Sequence, residues 1–242
     1  MSKKKRLIRW AFGSLALWLA ISSCGFLNTT SVSDTRTDTQ NVELGSAEVV
    51  RVQIHMGAGE LSVTGDANSL LDATFRYNVA HWQPRVNYTI NGSRGELVVD
   101  HQGEAIPVGG ALVNEWSLLL SNAVPIDLEI GTGAGESVLD LRGLDLTALS
   151  IEVGAGTTNV DLSRDLDHDL SAAISGGVGN LTVKLPGEMG VQVSADTGIG
   201  GLANSGLVKD GDVYVNAAYG SSPHTLFLNI NTGIGAIELL TP

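Results

Sequence analysis

The chain has 242 residues and carries 14 basic against 26 acidic side chains, a net charge of −12. Five of the basic residues (Lys3, Lys4, Lys5, Arg6 and Arg9) precede position 24 and no acidic residue does, which leaves 9 against 26, or −17, for the remainder. So acidic a body repels DNA, RNA and anionic lipid, and nucleic acid is not an expected partner.

Residues 1–23 read as an export signal, with a basic start, an apolar stretch from Trp10 to Ile21 and small residues before Cys24. The apolar stretch is shorter than the ~20 residues a bilayer span needs. Ile21-Ser22-Ser23-Cys24 resembles a bacterial lipobox, with an aliphatic residue at −3 and small residues at −2 and −1. The plainer alternative is an ordinary signal peptide with a chance cysteine. Cys24 is the only cysteine, so it cannot form an internal disulfide. The lipobox resemblance implies cleavage before Cys24 and acylation there, and several acyl chains together anchor a protein stably. The membrane, through Cys24, is thus an expected partner. The expected location is the outer face of the cell membrane, or the outer membrane where there are two. Gly25 follows Cys24 rather than the Asp that favours inner-membrane retention. Residues 24–41 are rich in Thr, Ser and Asp without an apolar period and read as a flexible tether.

Strands are expected from Val42 onward. Val50, Val52, Ile54, Met56 and Ala58 alternate, and Leu61 and Val63 continue on the other parity. Ser69 to Asn78 fits a short helix or a strand. Val86-Tyr88-Ile90 and Leu97-Val99, joined by Asn91-Gly-Ser-Arg-Gly95, predict a hairpin. Residues 103–113 have little period and mark the internal boundary, giving a β domain over 42–110 and a repeat domain over 111–242 that continues it.

The repeat is a Gly-X-Gly unit flanked by alternating apolar residues: Gly57/Gly59, Gly133/Gly135, Gly154/Gly156, Gly177/Gly179, Gly198/Gly200 and Gly233/Gly235. From Gly133 the spacings are 21, 23, 21 and then 35 residues, and a period just above 20 marks a solenoid of stacked coils. The middle residue is always apolar (Ala58, Ala134, Ala155, Val178, Ile199, Ile234), unlike a hairpin tip, and it keeps the phase of the inward residues before it. Inward parity changes after it, as a bulge or bend would cause. These glycines are therefore read as structural corners, with the six middle residues stacked in an inner column about 4.8 Å apart. Aspartate at Ala155 is expected to bury an unpaired charge. Lys209-Asp-Gly-Asp212 and Val213-Tyr-Val215 interrupt the last coil as a side hairpin or partial cap. The fold class is an all-β, single-chain β-solenoid preceded by a signal peptide and a tether.

Met56-Gly-Ala-Gly-Glu-Leu-Ser-Val63, Phe75-Arg-Tyr-Asn78, Pro84-Arg-Val-Asn-Tyr88 and Gly95-Glu-Leu-Val-Val99 resemble the toast-rack N-terminal domain. Asn114-Glu-Trp-Ser-Leu, Pro125-Ile-Asp-Leu and Gly133-Ala-Gly-Glu-Ser-Val-Leu-Asp-Leu141 resemble the β-solenoid of LiaF-like, cell-wall-active antibiotic response proteins and of adhesin-like proteins. The resemblance covers nearly all of residues 45–240 and implies a stacked all-β architecture with no catalytic residues. Family members that regulate envelope-stress signalling carry several membrane helices before this domain, whereas this chain has only the export signal.

The glycines invite a nucleotide reading, but each copy leads into another strand instead of the helix that a dinucleotide fingerprint requires. Asp165-X-Asp167-X-Asp169 opens like a calcium loop, yet Leu170 and Gly176 stand where Gly and Glu are needed. Those three aspartates are weak metal candidates beside the simpler reading of a solvated turn, and no cofactor is expected. The five histidines have no ligand spacing. Trp116 reads as core, and Trp82 reads as core or as a sugar-stacking platform. The leading expectation is a non-catalytic surface module of binding or adhesin-like character, with an envelope protein or a glycan as partner. An accessory of envelope-stress signalling is the alternative, and a carbohydrate-active β-helix enzyme comes third.

Overall fold

The alternation of apolar residues is realised as strands throughout the computed structural model, which describes residues 29–101, 106–108 and 111–242. Six long strands carry the Gly-X-Gly units: β2 (Val49–Thr64), β8 (Ile126–Asp140), β9 (Leu146–Asp161), β10 (Leu170–Lys184), β11 (Gly190–Ser205) and β14 (Thr225–Leu240). They stack in parallel, in the spatial order β2, β8, β9, β10, β14, β11. The final strand is therefore inserted between β10 and β11, and the coils do not simply follow chain order.

Each long strand forms two arms with a glycine corner between them, and both arms face one core. On the first arm Ile54, Ile130, Ile151, Ile174 and Ile230 are in register and buried. On the second arm Val63, Leu139, Val160, Val183 and Leu239 do the same. The loops between coils add Leu141, Leu144, Leu162 and Leu185, all buried, as a third wall. A core of Leu, Ile and Val ladders suits a chain with only 5% aromatic residues.

At the β2 end the stack is closed by shorter strands. The antiparallel hairpin of β4 (Pro84–Asn91) and β5 (Arg94–His101) has the expected turn, and β5 pairs with the first arm of β2. The second arm pairs with β7 (Asn114–Leu120), which pairs in turn with β3 (Leu71–Val79). Residues 71–79 are thus strand. β1 (Thr29–Val42) lies antiparallel on β3, and β6 (Ile106–Val108) lies parallel on the start of β1.

The tether expected over 24–41 is corrected by β1 for residues 29–41, and residues 24–28 lie outside the described residues. The residues of β1 are mostly exposed, and its half-buried face holds Asp38 and Gln40 beside Val32 and Val42, so the strand shows no apolar period and reads as a linker. The boundary at 110/111 separates no layers, because β7 and β8, from the second unit, flank β2, from the first. The signal peptide and Cys24 lie outside the described residues. At the other end, β12 (Val208–Asp210) and β13 (Val213–Val215) form the expected side hairpin, with β13 on Gln192 and Val193 of β11.

Candidate binding surface

The corner is built by two glycines that do different things. The second one, Gly59, Gly135, Gly156, Gly179, Gly200 or Gly235, has φ between 134° and 156°, a region that side chains with a Cβ rarely enter. Both glycines also lie against the neighbouring coil. A Cβ on Gly154 would stand 2.3 Å from the carbonyl oxygen of Gly133, and one on Gly156 would stand 1.8 Å from that of Gly135. The same contact recurs at Gly177, Gly179, Gly198, Gly200, Gly233 and Gly235. From β8 onward backbone packs on backbone at each corner, with no room for a side chain, while at the β2 corner Gly57 lies against the His101 ring.

The middle residue does not point inward. Ala58, Ala134 and Ala155 are exposed, as are Val178 (54%), Ile234 (49%) and Ile199 (70%). This corrects the inner column. Parity changes at the first glycine and not after the second, so Ala155 joins the outward set of Thr157 and Asn159, while Thr158 and Val160 are buried. Counting alternation as if the strand were straight places the middle residue one step too early. The six residues form an apolar ridge along the outside of the stack, small at the β2 end and large at the β11 end.

Beside this ridge, a shallow groove of about 560 Å³ crosses β2, β8, β9 and β10. Its polar lining comes from His55, Thr132, Glu152, Ser175 and His101, and backbone glycine supplies much of the floor. Four positions in register meet here (His55, Gly131, Glu152 and Ser175), each two residues before the first glycine of its corner. Sequence reading missed the groove because it arises from stacking. Aligning the repeats on their glycines would have shown the row.

Charged residues elsewhere on the two arms are paired among themselves. Arg51 bonds Glu129 at 2.8 Å, and Gln53 donates to the same carboxylate at 3.1 Å. The Arg51 hydrogen bond leads the causes that hold Glu129 below the usual carboxylate range. On the second arm Arg142 bonds Asp140 and Lys184 reaches Asp161. Exposed pairs like these contribute roughly 0–1 kcal/mol each. On the first-arm face Ser150, Ser171, Ala173 and Ser175 are short and uncharged, and Glu152 stands among them.

The aspartates of the proposed loop are spent on turns. Asp165 accepts the backbone N–H groups of Glu188 and Met189 at 3.0 and 2.7 Å, and Asp169 accepts that of Thr225 at 2.8 Å. Among the described residues no three His, Cys, Asp or Glu side chains gather as a metal site, Asp165, Asp167 and Asp169 included. His168 lies between the Asp169 carbonyl at 3.0 Å and the Asp145 carboxylate at 2.8 Å, and these two acceptors raise its pKa. Trp116 is buried with its ring edge-on to Phe75, and Trp82 is half-buried in a 3₁₀ turn.

The family model described as the N-terminal domain of toast_rack, DUF2154, matches residues 31–184. Among solved structures, a "putative cell adhesion protein" from Clostridium sporogenes ATCC 15579 shares 29% identity with a TM-score of 0.81, covering 86% of this chain and 100% of its own. A "putative adhesin" from Bacteroides fragilis NCTC 9343 is similar at 8% identity and a TM-score of 0.28, covering 86% of this chain and 99% of its own. Another from Parabacteroides merdae ATCC 43184 has 9% identity and a TM-score of 0.26, covering 88% and 99%. No curated protein matches the chain.

Proposed function

The chain belongs to the toast-rack N-terminal domain family, and from that premise we propose that it is a non-catalytic binding module held on the outer face of a bacterial membrane through a lipidated Cys24. The groove across β2, β8, β9 and β10 carries this reading. Four coils span three inter-strand spacings, about 14 Å, which suits a segment of an extended polymer more than a compact small molecule. Its low floor, with His55, Glu152 and Ser175 in one row across the coils, offers backbone and polar contacts spread along a line. Such contacts fit hydroxyl-rich glycan. The similarity to the Clostridium sporogenes protein supports a role in surface binding.

The test uses the full-length protein in detergent, with isolated cell-wall sacculi as the probe. Ser175 is exposed in the groove, so Ser175→Trp fills it without touching the core. Retention on sacculi is expected to fall on the order of tenfold, equivalent to ~1.4 kcal/mol, with an unchanged melting temperature. In cells, Cys24→Ser is expected to move the protein out of the membrane fraction. Equal retention of Ser175→Trp and the parent would rule out the groove, and membrane association without Cys24 would rule out the anchor.

A further inference from the structure

The two ends of the stack are not alike. At the β2 end the corner is sealed: the Gly57 N–H donates to His101 Nε2 at 3.1 Å, and Asn114 Nδ2 donates to the Ala58 carbonyl at 2.6 Å. Strands β5 and β7 cover both arms there. At the opposite end, β11 has β14 on one side, and on the other only β13, at Gln192 and Val193. Among the described residues, no strand pairs with the outer edge of β11 from Ser194 to Ser205. Exposed edges are usually protected by charge or proline. This one has no proline, and Asp196 is its single charge in a chain with 26 acidic residues. The ridge also reaches its most exposed large side chain here, Ile199.

We propose that this edge binds the same edge of a second copy, giving a twofold, end-to-end dimer in which Ile199 packs against Ile199 of the second copy. Three observations select this occupant. First, the edge bends at Gly198 and Gly200, so a straight strand could follow only one arm, whereas a strand with the same glycine corner follows both. Second, the β2 corner is capped by His101 and Asn114, so among the described residues the β11 edge is the bent coil edge left open, and pairing it with itself makes the interface isologous and closed. Third, an axis at Ile199 sets Ser194–Thr197 opposite Gly201–Asn204 of the second copy, outside the two residues, Gln192 and Val193, that β13 pairs with. The ridge then continues from one copy to the next as Val178, Ile234, Ile199, and the same three in reverse. The pairing is antiparallel and satisfies backbone groups that water otherwise holds. It does not depend on what the groove binds.

Sedimentation of the full-length chain in detergent is expected to show a dimer in equilibrium with monomer. Ile199→Lys is expected to weaken it at least about tenfold with circular dichroism and melting unchanged. Under mild oxidation, Ile199→Cys is expected to give a cross-linked dimer, since a disulfide needs Cα atoms within roughly 7 Å. Ala134→Cys, in mid-ridge, and the parent, whose only thiol is Cys24, are expected to give none. A parent monomeric at every concentration, an Ile199→Lys dimer as tight as the parent's, or cross-linking of Ala134→Cys equal to that of Ile199→Cys would each overturn the proposal.

Discussion

A Cβ at Gly156 would stand 1.8 Å from the Gly135 carbonyl oxygen, and the φ of +137° there disfavours any residue that has one. One position earlier, the Ala155 side chain projects into solvent. Two neighbouring residues therefore have opposite tolerance. Gly156→Ala forces apart two stacked backbones and is expected to cost about 3–5 kcal/mol. Ala155→Asp adds a solvated charge and is expected to stay within ~0.5 kcal/mol, in place of the penalty an inward Ala155 would have incurred. Urea denaturation of the two variants beside the parent measures both numbers. The spacing and residue type of Gly-X-Gly were enough to identify a corner. The direction of its middle side chain was not legible, because it depends on which glycine shifts the parity, and both positions hold the same residue.

At the scale of elements, the closure of the β2 end rests on side chains that stand in for a missing coil. Asn114 at the start of β7 donates to the Ala58 carbonyl of β2, while its Oδ1 accepts the buried Trp116 Nε1–H at 2.9 Å. Asn114→Ala leaves both partners unpaired at the end of the stack. The unmet buried Trp116 N–H costs roughly 1–3 kcal/mol, so a loss of about 1–3 kcal/mol is expected in chemical denaturation, with the strand content by circular dichroism retained. Elements with a strong period were legible in the sequence: the β4–β5 hairpin, the long coil strands and the β12–β13 side hairpin. β1 was not, since Thr, Ser and Asp dominate it and its half-buried face mixes Asp38 and Gln40 with Val42, which gives no pattern to read. Asn114 and His101 gave no signal as capping residues because their partners are backbone groups 56 and 44 positions away in the chain, respectively.

Over the whole molecule, six corners in register produce one sheet that turns a Leu, Ile and Val core inward and a continuous surface outward. The order of the coils could not be read from the repeat, because all six glycine units fit one another equally well. The β12–β13 hairpin occupies part of the outer edge of β11, and the final strand pairs between β10 and β11. The groove shares this origin: His55, Glu152 and Ser175 are far apart in sequence and adjacent only once the coils stack. Function accordingly depends on the claim that the corners turn their middle residues outward along the length of the stack. A cysteine-accessibility scan tests that claim most directly. Ala58→Cys, Ala134→Cys, Ala155→Cys and Val178→Cys are expected to react with a water-soluble maleimide in the native state at the rate of a free thiol, while Ile130→Cys, Ile151→Cys and Ile174→Cys react only after denaturation. Protection of the four middle positions, matching that of the isoleucine ladder, would contradict it.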